Sequence, residues 1–315
     1  MNPFPIGVIG CGYIAQKFFL PLLSASADVK IDMVLSQSAR KWGAIKSSWP
    51  QLKTTTDWDK FLRADFKAAF VLTPVESHYE ICDRLVDEGI HVFVEKPPTT
   101  SAKETLQIAQ KAQEKSLVFM VGFNRRFSTP VLKVLDQIKE DQIRLCLVEK
   151  HRPSHQERDL AETYREDLIH QIDLLRMFCG ELKPTGTTST QIDGNLLSSV
   201  STLKNNTHGL GVILHSRESG LWQERVTIIG NDKTLQINMF QSVIEIDSEG
   251  NKPIWVSQSN NTQLDDRGFR EEINHFLNCI NTNTNPLTNG FEAAKSQELQ
   301  EQLVALYLPQ ARNGK

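Results

Sequence analysis

Residues 6–15 read I-G-V-I-G-C-G-Y-I-A: an apolar run stops at a glycine, a second glycine follows two residues on, and a small residue stands three beyond that. No other stretch of the chain narrows the possible folds so far. The spacing G-x-G-x-x-A, placed between a strand and a helix, suits a dinucleotide. Gly10 permits the tight turn, Gly12 lets the backbone approach a pyrophosphate, and Ala15 lets the helix pack closely on the strand. The helix N-terminus then offers backbone N–H groups and the positive end of its dipole to the anion. Gly10, Gly12, Tyr13, Ile14 and Ala15 are therefore candidate cofactor-binding residues. The plainer alternative is a glycine turn in an α/β protein that binds nothing there.

The sequence beyond the loop follows the same logic. Short apolar runs near residues 6–9, 31–35, 69–72, 91–94 and 118–121 alternate with amphipathic stretches near 13–23, 38–46, 76–88 and 102–114. Runs apolar on both faces predict buried parallel strands, and the alternation predicts a doubly wound sheet. The pattern changes after residue 122. Helices are expected over 129–139 and 164–178, the second ending at Gly180, with a strand over 144–150 between them. Strand candidates follow at 186–192, 198–203, 209–215, 224–229, 234–238 and 242–246, with no helix among them. Turn signals such as Asp193-Gly194 and Asn231-Asp232 separate them. Closing helices are expected over 270–281 and 291–308. The fold class is α/β: a Rossmann doubly wound parallel sheet over residues 1–122, then an α+β domain over 123–315 with a large, mostly antiparallel open sheet. The last helices are expected to pack back on the Rossmann domain.

Composition excludes several partners. Thirty-five Lys and Arg against 38 Asp and Glu leave a formal charge of −3, so nothing favours nucleic acid. No apolar run approaches the roughly 18 residues of a membrane span. The first lysine is Lys17, so no secretory signal is expected. Five widely spaced cysteines without a C-x-x-C fit reduced thiols and a cytoplasmic location. No metal site is expected, because Pro153 between His151 and His155 breaks the helix such a pair would need.

An acidic residue commonly ends the second strand of such a domain and takes the ribose hydroxyls of NAD. Here that place falls at Ser36, and Arg40 and Lys41 follow. No carboxylate repels a 2′-phosphate, so the loop leans toward NADP over NAD. Lys96 ends the apolar run at 91–94, at the edge of a parallel sheet where ligands bind. His170 lies in D-L-I-H-Q-I-D, and i, i+3 spacing on a helix would put Asp167, His170 and Asp173 on one face. A histidine beside a carboxylate can shuttle a proton. Lys150-His151-Arg152 ends a strand and could bind an acidic or phosphorylated sugar; a solvated basic turn is the alternative. Asn124 and Arg125 follow the last Rossmann strand and could position nicotinamide or substrate.

Several motifs carry a family resemblance. They are T-P-V-E-S-H at 73–78, E-K-P at 95–97, G-F-N-R-R-F at 122–127 and H-Q-I-D at 170–173, together with the glycine loop. The chain resembles the Gfo/Idh/MocA oxidoreductases over nearly its whole length, and within them the MviM-like subgroup. The resemblance implies that Thr73, Pro74, His78, Glu95 and Lys96 lie at the cofactor. It implies that Lys96 and His170 act on the substrate hydroxyl, and that the Lys96–Pro97 bond is cis. It makes the second domain the one for substrate binding and for a homodimer or homotetramer formed through its sheet. The sequence departs from the family's D-x-G-x-H: Glu166 stands at the acid and Leu168 at the glycine. Glu166, Asp167 or Asp173 would then orient the histidine. The expected function is hydride transfer between NAD(P) and a hydroxyl or carbonyl carbon of a sugar, polyol or related molecule. The alternatives are a non-catalytic NAD(P) or sugar sensor, and an enzyme using bound NAD for transient oxidation in elimination or hydrolysis.

Overall fold

The alternation of apolar runs and amphipathic stretches becomes a six-stranded sheet. Its strands are β1 (Phe4–Ile9), β2 (Val29–Leu35), β3 (Thr54–Thr55), β4 (Ala68–Val71), β5 (His91–Glu95) and β6 (Phe119–Gly122), in the order β3-β2-β1-β4-β5-β6. Every pairing is parallel. This is the doubly wound Rossmann order, with its switch point between β1 and β4. The connections carry α1 (Leu20–Ala25), α2 (Trp42–Ser48), α3 (Trp58–Leu62), α4 (His78–Asp87) and α5 (Ala102–Glu114). Local chemistry sets the helix ends. Ser101 caps α5 by accepting from the Glu104 N–H at 3.3 Å, and Gly89, at φ +74°, turns the chain after α4. Strand β3 was not anticipated, because two residues carry no periodicity.

The computed structural model describes residues 3–37, 42–153, 157–207, 209–258 and 263–312. They fall into two units, one of residues 1–123 with 269–294 and one of residues 124–268 with 295–315. In the second unit α6 (Thr129–Leu132) precedes β7 (Ile143–His151), and α7 (Leu160–Glu162) precedes α8 (Ile169–Cys179). Then come β8 (Leu182–Ile192), β9 (Asn195–Asn205), β10 (Leu210–Ser216), β11 (Gln223–Gly230), β12 (Lys233–Asn238), β13 (Ser242–Asp247), β14 (Gly250–Val256) and the short α9 (Gln263–Asp266). The sheet order is β14-β13-β12-β11-β7-β10-β9-β8. Among these pairings only β7 with β10 is parallel. Asp193 and Gly194, and Asn231 and Asp232, all have positive φ, as the tight turns of right-twisted hairpins require.

Three expectations change. The helix expected over 129–139 ends at Leu132, and the chain continues through i→i+3 bonds, Val134 to Val131 and Gln137 to Val134. The helix expected over 164–178 is two elements. A π-helical turn at Thr163–Asp167 ends at Leu168, and α8 starts afresh at Ile169. Strand β14 was not anticipated; it holds Pro253, which a sheet edge tolerates.

Two closing helices, α10 (Phe269–Thr282) and α11 (Gly290–Arg312), complete the chain. Helix α10 belongs to the first unit and builds an aromatic core there. Phe276 meets Phe70 and Phe93 edge-on at 5.4 and 5.7 Å, and Phe269 stacks on Phe18 at 4.4 Å. In the second unit one face of the sheet packs under α8. Cys146, Val148, Ile213, Val226 and Ile228 alternate inward and join Ile172 and Leu175. Among the described residues, no helix is long and apolar enough to cross a membrane.

Candidate functional site

In the first unit the backbone builds the site. Gly10 has φ +96°, and a Cβ there would lie 2.6 Å from the Leu72 carbonyl oxygen, so only glycine fits. A Cβ on Gly12 would meet nothing within 4 Å; that side of the loop is open. The chain then turns into a helical run through Ala15, which is fully buried against the sheet. A cavity of about 490 Å³ opens over the loop, with Gly10, Gly12, Tyr13, Ile14, Thr73 and Pro74 in its wall. Ser36 joins them just past β2, and its Oγ accepts from Cys11 Sγ at 3.1 Å. Arg40 and Lys41 lie outside the described residues.

His78 opens α4, and Lys96 follows β5. His78 is buried and bonds at both ring nitrogens, Nδ1 to the Pro97 carbonyl at 2.9 Å and Nε2 to the Thr73 carbonyl at 2.8 Å. It therefore ties the loop after β4 to the loop after β5. Lys96 is half-buried directly after β5, and its backbone N–H donates to Glu95 Oε2 at 3.0 Å. The Lys96–Pro97 bond is cis. Sequence reading missed Trp58 and Ile81, which add apolar wall to the cavity. Trp58 opens α3 directly after the unread β3.

In the second unit side chains build the site. Register places Glu224 opposite Lys150, Lys150 opposite His215 and His215 opposite Ser199, a polar row across β11, β7, β10 and β9. All four are buried. Lys150 Nζ donates to the Asp167 carbonyl at 2.7 Å and stands 3.4 Å from Glu224 Oε1. Burial pushes its ammonium down to about 7; Arg152 and Arg125 push the same way, against Glu224 and Asp167. Burial also pushes His215 down to about 4, although its Nδ1 donates to the Lys150 carbonyl at 2.5 Å. Burial opposes the Glu224 carboxylate, yet Arg125 and Lys150 hold it well below the usual range. Arg125 does so through two bonds, at 2.8 and 3.0 Å. Asn124 accepts from Arg125 at 3.1 Å and donates to the Arg267 carbonyl at 2.9 Å.

Asp167, His170 and Asp173 do not ride one α-helix. Asp167 lies in the π-helical turn, and His170 and Asp173 lie on α8. Asp167 takes Arg152 Nη2 and Arg217 Nη1 at 2.8 Å each and Arg158 Nη1 at 3.5 Å. Burial works against its carboxylate, but Lys150 and these arginines keep it below the usual range. Asp173 takes Arg126 through two bonds of 2.7 Å and accepts from Ser296 Oγ at 2.9 Å. Glu166 meets Arg165 Nε at 3.3 Å. His170, the second residue of α8, is buried. His151 is half-buried beside Glu149, at 3.6 Å. Thus Lys150, Arg152 and Asp167 come together as one cluster, and sequence reading missed Arg158, Arg217, Arg126 and Glu224. For Glu224 a signal existed: it alternates in phase with the inward Val226 and Ile228. Among the described residues no cluster of His, Cys, Asp or Glu could hold a metal ion.

Comparison with known proteins shows what this chain is similar to. Residues 4–123 match the model of an oxidoreductase family with an NAD-binding Rossmann fold. The Salmonella typhimurium protein YceM is 29% identical over 310 residues, 96% of this chain and 98% of its own. Inositol 2-dehydrogenase of Rhizobium meliloti is 26% identical over 58% of this chain and 57% of its own. The crystal structure of the dehydrogenase MviM from Clostridium difficile superposes with a TM-score of 0.89 at 26% identity, covering 96% of this chain and 99% of that one.

Proposed function

We propose that the chain belongs to the Gfo/Idh/MocA family of NAD-binding oxidoreductases and that it moves hydride between a nicotinamide and a hydroxyl or carbonyl carbon of a sugar, polyol or related small molecule. The observation that carries this reading is the loop at Gly10 and Gly12. One glycine has the left-handed turn that no other residue fits, the other is open toward the cavity, and a helical run starts just behind them. This donor set fits a dinucleotide pyrophosphate. A bound nicotinamide supplies the redox chemistry. The relative named inositol 2-dehydrogenase supports a polyol or sugar as the substrate class.

Ser36 beyond β2 supports NADP over NAD, because it offers a hydroxyl where a carboxylate would repel a 2′-phosphate. In this reading Lys96 polarises the reacting oxygen and His170 exchanges its proton. Asp167 and Asp173, already bound to guanidinium groups, are positioning residues for the segment that carries His170. Glu166 stands where the family commonly has its acid. The sheet face turned away from α8 exposes Val200, Leu210 and Ile229, which supports a homodimer or homotetramer formed there. Five free, buried cysteines suit a reducing cytoplasm.

Titration with NADPH and with NADH, followed by nicotinamide fluorescence, tests the core of the reading. Tighter binding of NADPH is expected. Tighter binding of NADH would reject the role given to Ser36 and keep the oxidoreductase. Folded, nucleotide-free protein that binds neither would overturn the reading altogether.

A further inference from the structure

Among the described residues, the ion pairs at one corner of the second unit hold more basic side chains than carboxylates. Lys150, Arg125, Arg152, Arg158 and Arg217 face Asp167, Glu224 and Glu162. Among the described residues, five basic side chains thus meet three carboxylates, and three guanidinium groups converge on the single carboxylate of Asp167. Backbone bonds fix this convergence. The Arg152 N–H donates to the Ser216 carbonyl at 2.8 Å, and the Ser219 N–H donates to the Arg152 carbonyl at 3.1 Å. The Arg217 N–H donates to Leu197 and the Leu196 N–H to Arg158, each at 2.8 Å. Three separate segments are thereby stitched to one corner of the sheet. Arg217 is buried there, whereas the Arg152 side chain remains 38% exposed. Among the described residues, the buried Nε of Arg152 and Nδ1 of His151 have no hydrogen-bond partner.

We infer that this corner binds the anionic group of the substrate, a phosphate or a carboxylate on a sugar or polyol, with Arg152 as its accessible contact and Arg158 and Arg217 behind it. The inference rests on the proposed sugar or polyol substrate and narrows it to a charged one. A fixed fork of guanidinium donors matches either oxyanion in two-point geometry. Asp167 keeps the arginines from flying apart in the free protein, and the incoming anion completes the neutralisation. The charge excess also reaches Lys150, whose charged or titratable neighbours are Glu224, Arg125, Asp167, Arg152 and His215. An anion at Arg152 relieves the field that favours loss of the Lys150 proton, so binding near neutral pH draws in a proton.

Calorimetry with inorganic phosphate, D-glucose 6-phosphate, D-glucuronate and D-glucose, each in two buffers of different ionisation enthalpy, tests this. The expected result is binding of phosphate or of a charged sugar at least about 10-fold tighter than glucose, with net proton uptake at pH 7. The arms for glucose 6-phosphate and glucuronate tell phosphate from carboxylate. Arg152→Gln, with its fold checked by circular dichroism, should cost the charged ligand about 10-fold and leave glucose within about 2-fold; Arg152→Lys should restore part of the loss. Equal affinity for charged and neutral ligands, equal losses for both in Arg152→Gln, or no binding of any anion overturns the inference. Anion binding with no nicotinamide-linked turnover of any sugar or polyol would leave the corner standing and remove the proposed substrate reaction instead.

Discussion

The two proposed ligand sites, the glycine loop of the first unit and the arginine corner of the second, present opposite kinds of surface. The loop offers backbone: left-handed Gly10, open Gly12 and the start of a helical run, with Glu76 the one charged side chain among the described residues of the cavity wall. The corner offers side chains from β7, β11, the π-helical turn and the segments that follow β7 and β10, nearly all of them charged. A backbone site tolerates many side chains but one wrong Cβ ruins it. A side-chain site tolerates backbone drift, but its charges must balance one another in a buried place, so removing one partner strands the rest.

The largest effect should come from stranding those charges. Glu224→Ala leaves Arg125 and Lys150 buried without their carboxylate, and a loss of about 3–5 kcal/mol is expected. Urea unfolding measures it; a loss under about 1 kcal/mol would mean that the network relaxes freely and the contrast with the loop is false. Next comes Gly10→Ala. Its methyl meets the Leu72 carbonyl at 2.6 Å in a left-handed backbone. Nicotinamide affinity should fall by about 100-fold, some 2.7 kcal/mol, as read by fluorescence titration, and near-normal affinity would show that the loop does not hold the cofactor.

The last effect, smallest over any one pH unit, is a slope against pH. The Lys150 ammonium titrates near 7 in the folded chain against 10.5 in its ordinary state. Between those values the unfolded chain holds more protons, so stability rises with pH, by at most about 1.4 kcal/mol per pH unit. His215, near 4 against 6.5, adds the same sign between pH 4 and 6.5. Lys150→Met should flatten the curve above pH 7 and leave the part below 6.5. An unchanged curve in unfolding midpoints across pH 7–10 would place the lysine's proton elsewhere.

The same contrast governs what the sequence could reveal. A site made of one strand, one loop and one helix is written in ten consecutive residues, so Gly10 through Ala15, and with them the sheet they begin, were legible. Strand β3 and Trp58 were not, because two extended residues give no pattern to count. Most of the second sheet was legible through its turns, Asp193-Gly194 and Asn231-Asp232 among them, whereas the edge strand β14, with a proline inside it, was not. The convergence of Arg152, Arg158 and Arg217 could not be read at all. It follows from which strands become neighbours and in which register, a matter settled over some 65 residues of separation. The π-helical turn also defeated periodicity: an i, i+3 count assumes one unbroken helix, and Leu168 ends it.

The single parallel pairing in the second sheet has a consequence for synthesis. Strand β7 leaves the ribosome ahead of every partner it will have, since its neighbours β10 and β11 begin at residues 210 and 223. At about 5–20 residues per second, β7 waits several seconds with both edges bare. Its inward residues Cys146 and Val148 are the kind that recruit stray strands during such a wait. The strand at the centre of the finished sheet is therefore the most vulnerable one in the nascent chain, and crowded expression should test it first.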